Sequence, residues 1–375
     1  MAKFSDLSED LVAEILSRVP LTCLIPVRST CKPWNALLKK LILGKRAESK
    51  QQFLDFIKFY SLKFDLKGIR NEEDEFIDPS TKQVSIFDEI KVSEVFHCDG
   101  LLLCVTKEED NSTTTRVMVW NPYLGQIRWI KPITKFHRLD GFALGFDNNN
   151  NHKILRFDYE RGRRIDVYDF SSDSWRVLDI SPDSKELCFR KRASLKGNTY
   201  FFDQELTTVA TEEANIFDVI NIVDYLVCFD FTTERFGPRL PFPFNPPYPS
   251  FENFTLSPVR DEKLSVLYQH DSTFEIMEIW VTTKIEPNAV SWSKFLRVDI
   301  SLINGLPNDF YYRSFFIDEE KKVAVGFYVD RYRETIVFII GEDGYFKSVN
   351  IGEATNPSDY GLHVCSSYVP SLVQL

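Results

Sequence analysis

Long apolar runs are missing from this chain. No stretch of its 375 residues approaches the roughly 18–20 consecutive apolar residues of a membrane-spanning helix, so no span is expected. The first apolar segment is interrupted by Glu9, Asp10, Glu14 and Arg18, which argues against a secretory signal peptide. The seven cysteines (Cys23, Cys31, Cys98, Cys104, Cys188, Cys228 and Cys365) are odd in number, dispersed, and include no Cys-x-x-Cys pair. That pattern speaks against a disulfide framework and against a zinc module. Cys98 and Cys104 flank an apolar run and read as buried free thiols. A location in the cytoplasm or nucleus follows, where the Asn111-Ser-Thr and Asn253-Phe-Thr sequons stay unmodified.

Catalytic signatures are equally scarce. There is no G-x-S-x-G elbow, no phosphate-cradling G-x-x-x-x-G-K-[ST] and no H-E-x-x-H. His97, His137, His152, His270 and His363 are scattered without ligand spacing, and the pairs Glu72-Glu73 and Glu108-Glu109 fall in polar turns where solvation explains them. No enzyme activity, cofactor or metal is expected from these residues. The net charge is −10; residues 1–45 carry seven Lys/Arg against four Asp/Glu, which leaves −13 for the remainder. Such an acidic domain repels phosphate backbones, so nucleic acid is not an expected partner, and its net charge favours targets with basic patches. A local basic patch on one face stays compatible with this balance, although a mixed solvated surface is the plainer reading.

Aromatic residues are abundant, with 32 Phe, 15 Tyr and 6 Trp. They favour pleated, half-buried surfaces, so strands are expected over most of the chain. The N-terminus differs. Leu11, Val12, Ile15, Leu16 and Val19 form an amphipathic stripe within Ser8–Val19, with Ser8 suited to the N-cap, Glu9 and Asp10 to the first turn and Pro20 to the stop. Further short helices are predicted over Leu24–Cys31 and from Pro33-Trp34 through Leu41. Three such helices bury too little to stand alone and need the rest of the chain or a partner.

From about residue 50 the pattern becomes strand–turn–strand. Predicted strands include Phe53–Phe64, Gly100–Val105, Val117–Trp120, Arg164–Phe170, Asn198–Phe202, Tyr225–Phe231, Lys263–Tyr268, Glu275–Val281, Lys322–Val329 and Thr335–Ile340, with a short helix over Glu212–Val219. The design Val117–Ile130 recurs at Ile165–Leu178 and Leu226–Phe236, and more loosely at Met277–Trp292 and Ile336–Phe346. Each copy follows a second hairpin-like stretch, and the spacing brackets a blade of about 50 residues. Units of this size cannot cover both of their faces, so radial stacking into a propeller is predicted, a pair of β-sandwiches being the alternative. Five clear units plus the strands around residues 53–87 give up to six blades, closed by pairing the two ends of the region. Six prolines in Gly237–Ser250 suit a rigid connection beside a strand better than a ligand for a proline-binding module, and Asn148–Asn151 suits a loop tip.

Two resemblances cover nearly the whole chain. Asp10-Leu11, Glu14-Ile15-Leu16, Arg18-Val19-Pro20, then Arg28, Cys31-Lys32 and Trp34 closely resemble the F-box. Val119-Trp-Asn-Pro122, Gly141–Phe146 and Cys365–Val373, in that order, resemble the plant F-box-associated interaction domain related to kelch repeats. The expected architecture is a small all-α F-box helix bundle (residues 1–45) followed by a mainly-β, propeller-like domain (residues 46–375). The F-box resemblance implies docking on a Skp-type adaptor, and through it a cullin-RING ligase, by helix-in-groove contacts. Leu7, Leu11, Ile15, Leu16, Val19, Pro20, Leu24, Val27, Arg28, Cys31 and Trp34 would form the adaptor-binding end. The β domain would bind an unknown target protein for ubiquitination through loops on one face. Two departures stand out: Ser8 where many F-boxes have proline, and Pro26 inside the second helix, where it removes a backbone donor. The alternatives are an interaction protein working outside a cullin complex, or a propeller enzyme or sugar-binding domain.

Overall fold

The computed structural model describes residues 92–107, 113–159, 164–180, 187–209, 219–244, 254–260, 262–269, 275–303, 314–329, 334–353, 371 and 373–375, together with short strands at 52–55, 60–63, 80–83 and 364–365. The chain begins with β1 (Gln52–Asp55), β2 (Tyr60–Lys63) and β3 (Ser80–Gln83). Next come β4 (Val92–Cys98), β5 (Leu101–Lys107), β6 (Thr114–Asn121), β7 (Gln126–Ile130) and the short β8 (Phe136–His137). A second set is β9 (Gly141–Phe146), β10 (His152–Asp158), β11 (Arg164–Asp169) and β12 (Ser174–Leu178). A third is β13 (Cys188–Leu195), β14 (Asn198–Val209), β15 (Val219–Asp230) and β16 (Arg235–Pro241). A fourth is β17 (Phe254–Val259), β18 (Lys263–Gln269), β19 (Ile276–Glu286) and β20 (Ala289–Asp299). The last is β21 (Ser314–Asp318), β22 (Val323–Val329), β23 (Glu334–Gly341) and β24 (Phe346–Glu353), followed by β25 (Val364–Cys365).

Five of these sets are antiparallel meanders, each running outward from its first strand, with β8 adding to β6. The remaining sheet has the order β25-β1-β2-β3, and register pairs Leu54 with Cys365 and Asp55 with Val364. The innermost strands adjoin in sequence, β4 to β9, β9 to β13, β13 to β17, β17 to β21, β21 to β25 and β25 back to β4. The result is a closed ring of blades, not a pair of sandwiches. Both ends of the region share one sheet, as the sequence predicts, which removes exposed sheet edges at the seam. The predicted strand Phe53–Phe64 is two strands, because β1 and β2 form a hairpin. Val219 opens β15, and the rest of the predicted helix over Glu212–Val219 lies outside the described residues.

Apolar runs arise because both faces of the middle strands are covered by neighbouring blades. Leu103 and Val119 pack with Leu144 and Ile154 between the first and second meanders, while Leu155 and Val167 pack with Phe201 and Phe229 between the second and third. Phe202 and Leu226 meet Leu264 and Val266, and Leu267 and Ile279 meet Phe315 and Phe338. Consecutive residues such as Ile154 and Leu155 point to opposite faces and are both buried, as a strand covered on both sides requires. Fully burying each such side chain is worth about 1.5–3 kcal/mol.

Turn chemistry explains the repeat. Asp99-Gly100 and Lys196-Gly197 have φ of 48° and 72°, and of 51° and 81°, the two left-handed residues of a tight hairpin turn. The copied strand–turn–strand units share another device: Asn121 Oδ1 accepts the N–H of Tyr123 and Leu124, Asp169 Oδ1 those of Ser171 and Ser172, and Asp230 Oδ1 those of Thr232 and Thr233. Each acceptor ends its strand and fixes the turn that follows. The proline-rich segment enters β16, an outermost strand, where a bulge between Val227 and Phe229 of β15 accommodates Gly237-Pro238.

Candidate functional site

Antiparallel alternation gives the ring two unlike faces. One carries the short turns 99–100, 122–125, 147–151, 170–173, 196–197 and their counterparts. Because β1 runs antiparallel to the innermost β25, the chain also enters the domain at Gln52 on this turn face. The opposite face receives the ends of β5, β10, β14, β18 and β22 and the passages from one blade to the next.

The turn face holds a shallow depression of about 370 Å³ bordered by Asp147, Asn148, Lys196, Asp230, Thr232 and Pro287. Beside it Lys153 Nζ lies 3.0 Å from Asp147 and 3.0 Å from Glu234, donates to Phe231 O at 3.2 Å, and Arg176 also reaches Glu234. Burial opposes ionisation of Asp147, but hydrogen bonds from Lys153 and from the backbone of Asn151 and Asn149 hold its carboxyl below the ordinary range. Burial likewise works against the Lys153 ammonium, and Glu234 and Asp147 outweigh it and raise its pKa. These charges satisfy one another and tie the second blade to the third.

In the ring's interior, Arg192 of β13 stacks on Phe96 of β4 at 3.5 Å and lies 3.6 Å from Glu94, while Lys191 Nζ donates to Phe254 O at 2.7 Å. The innermost strands are thereby cross-braced.

The opposite face is built on a buried guanidinium. Arg156 of β10 is 1% exposed; its Nε donates to Asp140 Oδ2 at 2.8 Å, Nη1 to Thr134 Oγ1 at 2.8 Å and Nη2 to Lys135 O at 3.2 Å. Asp166 lies 3.4 Å away, and Asp140 in turn accepts the N–H of His137 and of Tyr159, both at 2.9 Å. This network fixes the passage from β7 to β9 as a rigid platform. On its outer side the His137 and Tyr159 rings stack at 5.3 Å and 10°, and Ile133, Leu139 and Tyr159 are exposed.

Leu7, Leu11, Ile15, Leu16, Val19, Pro20, Leu24, Val27, Arg28, Cys31 and Trp34 lie outside the described residues, as does the predicted helix bundle. Among the described residues no group of three or more His, Cys, Asp or Glu is placed to hold a metal. Among the described histidines, His97 accepts the turn N–H of Gly100, His152 is buried near Asp99 and His137 reaches the outer platform, while His270 and His363 lie outside the described residues. Cys98 and Cys104 are buried thiols, and burial pushes the Cys228 thiol up to about 12. Sequence reasoning did not single out the platform. Its signal was 131–140 (KPITKFHRLD), three cations against one acid in an otherwise acidic domain.

The chain matches the F-box domain over residues 4–46 and the F-box associated beta propeller domain over residues 52–375. It is 58% identical to an F-box protein of Arabidopsis thaliana (At3g49510) over the full length of both chains, and 57% identical to a putative F-box protein of that plant (At3g49520), again over the full length of both. An Arabidopsis thaliana F-box/kelch-repeat protein (At3g13680) is 52% identical over all of this chain and 97% of its own. The order of motifs, the ring of blades and these full-length relatives converge: the chain belongs to the F-box proteins that carry an F-box associated β-propeller domain.

Proposed function

We propose that the protein is the substrate-recognition subunit of an SCF-type (Skp–cullin–F-box) ubiquitin ligase. The observation that carries this reading is the F-box match over residues 4–46 directly ahead of a propeller match over residues 52–375. F-box domains bind Skp-type adaptors. Here residues 1–45 dock on the adaptor through the apolar stripe of Leu11, Ile15, Leu16 and Val19, and residues 46–375 hold a target. The subunit performs no chemistry. It raises the effective concentration of a target lysine beside a charged ubiquitin-conjugating enzyme, making the attack quasi-intramolecular. The chain enters the β domain at Gln52 on the turn face, and we assign the opposite face to targets. The compartment is cytoplasm or nucleus.

Capture of the full chain by an immobilised Skp-type adaptor, beside the double variant Leu11→Asp/Ile15→Asp, tests this reading. Retention of the wild type alone, with cullin joining the complex, is the expected result. Equal retention, or none by either, overturns it. Pro26 motivates a second reading, an interaction protein outside a cullin complex: adaptor capture without cullin recruitment is the result that would establish it.

A further inference from the structure

We propose that the platform formed by residues 131–140 and Tyr159 is a docking site for an acidic protein segment carrying an apolar side chain. The proposal rests on the reading of the β domain as a target-binding module and names the class of target.

Three observations meet here. The first is exposed apolar surface. Ile133 is 48% exposed, Leu139 38% and Tyr159 56%, with His137 stacked on Tyr159. Leu139, whose N–H donates to His137 Nδ1, and Tyr159, stacked on the same imidazole, offer apolar surface for an aliphatic or aromatic chain, and tyrosine does so at low entropic cost. The second is charge. Lys135 and Arg138 are exposed on the same connection and no described acid pairs with either, whereas the connection's single acid, Asp140, is 6% exposed and held by Arg156. The outward charge of the segment is therefore positive, in a region that carries −13. An acidic segment is attracted to this platform and repelled by the rest of the domain, which selects one register on one face. The overall acidity gives basic targets their attraction elsewhere, so the local arrangement reverses the expectation from net charge.

The third observation is preorganisation. Arg156 grips the platform from below through Asp140, Thr134 and Lys135, and Arg138 N donates to Thr113 O at 2.8 Å. A surface held in advance loses little freedom when a partner arrives, so more of the contact energy appears as affinity. The turn-face depression lacks this character, because Lys153, Asp147, Glu234 and Arg176 neutralise one another.

The test is fluorescence anisotropy with the purified full chain and three labelled probes: an acidic peptide EEFLEEF, its basic counterpart KKFLKKF, and a single-stranded oligonucleotide. The acidic peptide is expected to bind and to weaken as salt is raised. Lys135→Glu/Arg138→Glu is expected to weaken it by at least about tenfold and Tyr159→Ala by about threefold or more, while Lys196→Glu on the turn face stays within about twofold. Binding of both peptides alike, preference for the oligonucleotide, an unaltered affinity in the charge-reversed variant, or no peptide binding at all overturns the proposal. Each variant is also passed over the Skp-type adaptor. Retention there shows an intact F-box, and an unchanged urea midpoint shows an intact β domain. Platform-dependent peptide binding by a wild type that fails to engage the adaptor removes the ligase reading and leaves the docking site standing.

Discussion

The Asn121 side-chain amide donates to the carbonyl of Val373 at 2.7 Å, joining residues on either side of the ring closure. The same Nδ2 donates to Ser371 O at 3.1 Å, and Asn121 itself is fully buried. Its other atom, Oδ1, fixes the following turn by accepting from Tyr123 and Leu124. Asp169 and Asp230 end the corresponding strands of the next two blades and need only accept. An amide is required at the first blade because there, unlike at Asp169 and Asp230, the strand end must also donate, to a segment about 250 residues away. Val373 and Leu375 pack against the same apolar cluster, and Leu375 N donates to Gln126 Oε1 at 3.2 Å.

Asn121→Asp separates the two roles. The carboxylate keeps the turn and loses both donors, while facing two carbonyl oxygens in a buried site. Urea unfolding is expected to show a loss of about 2–4 kcal/mol, because a buried group is left unsatisfied. Asp230→Asn, which preserves the acceptor in the third blade, should cost less than about 1 kcal/mol. Equal losses would mean that the turn, and not the closure, sets the cost.

Arg156→Met removes the buried cation of Asp140, whose carboxylate is then left without one, while Asp166 keeps Arg164 at 2.9 Å. Breaking a buried pair in this way costs about 3–5 kcal/mol. Hydrogen exchange should quicken over residues 131–140, since Thr134 and Lys135 lose their contacts from below. Unchanged exchange there would show that the platform is held by other means.

Alkaline pH should weaken the fold through the buried thiols. Burial raises the Cys228 pKa from 9.0 to about 12. The folded state then keeps its proton where the unfolded state has released it, so stability is full below pH 9 and is lost as pH rises towards 12. Burial, reinforced by Asp173, also pushes the Tyr168 phenol up to about 12 and acts in the same direction above its ordinary value. Urea midpoints measured on both sides of this window should fall for the wild type and fall less for Cys228→Ala. A parallel decline in both proteins would assign the loss to other groups.

Much of the domain is legible one residue at a time. Asp99-Gly100 announces a tight hairpin, and the strand-ending Asn121, Asp169 and Asp230 recur because each turn must satisfy its own backbone. The Phe201-Phe202 and Ile154-Leu155 pairs, buried on opposite faces, announce strands covered on both sides. The closing blade was harder to read. Its inner strand is the two-residue β25, and its partners lie at the far end of the domain. No local propensity marks so short a segment, and pairing alone makes it a strand.

The sequence by itself determined the family, the β-rich repeat, its turns and the apolar stripe expected of the F-box, because these depend on neighbouring residues. Only tertiary structure decided which charges are spent and which are offered. Lys135 and Arg138 read in sequence like any surface cations, and Asp140 like their partner. Folding gives Asp140 to Arg156 instead, and leaves the two cations exposed on the same connection as Leu139. That outcome depends on strands that meet only when the ring closes, since burial and electrostatic pairing are properties of spatial and not sequential neighbours.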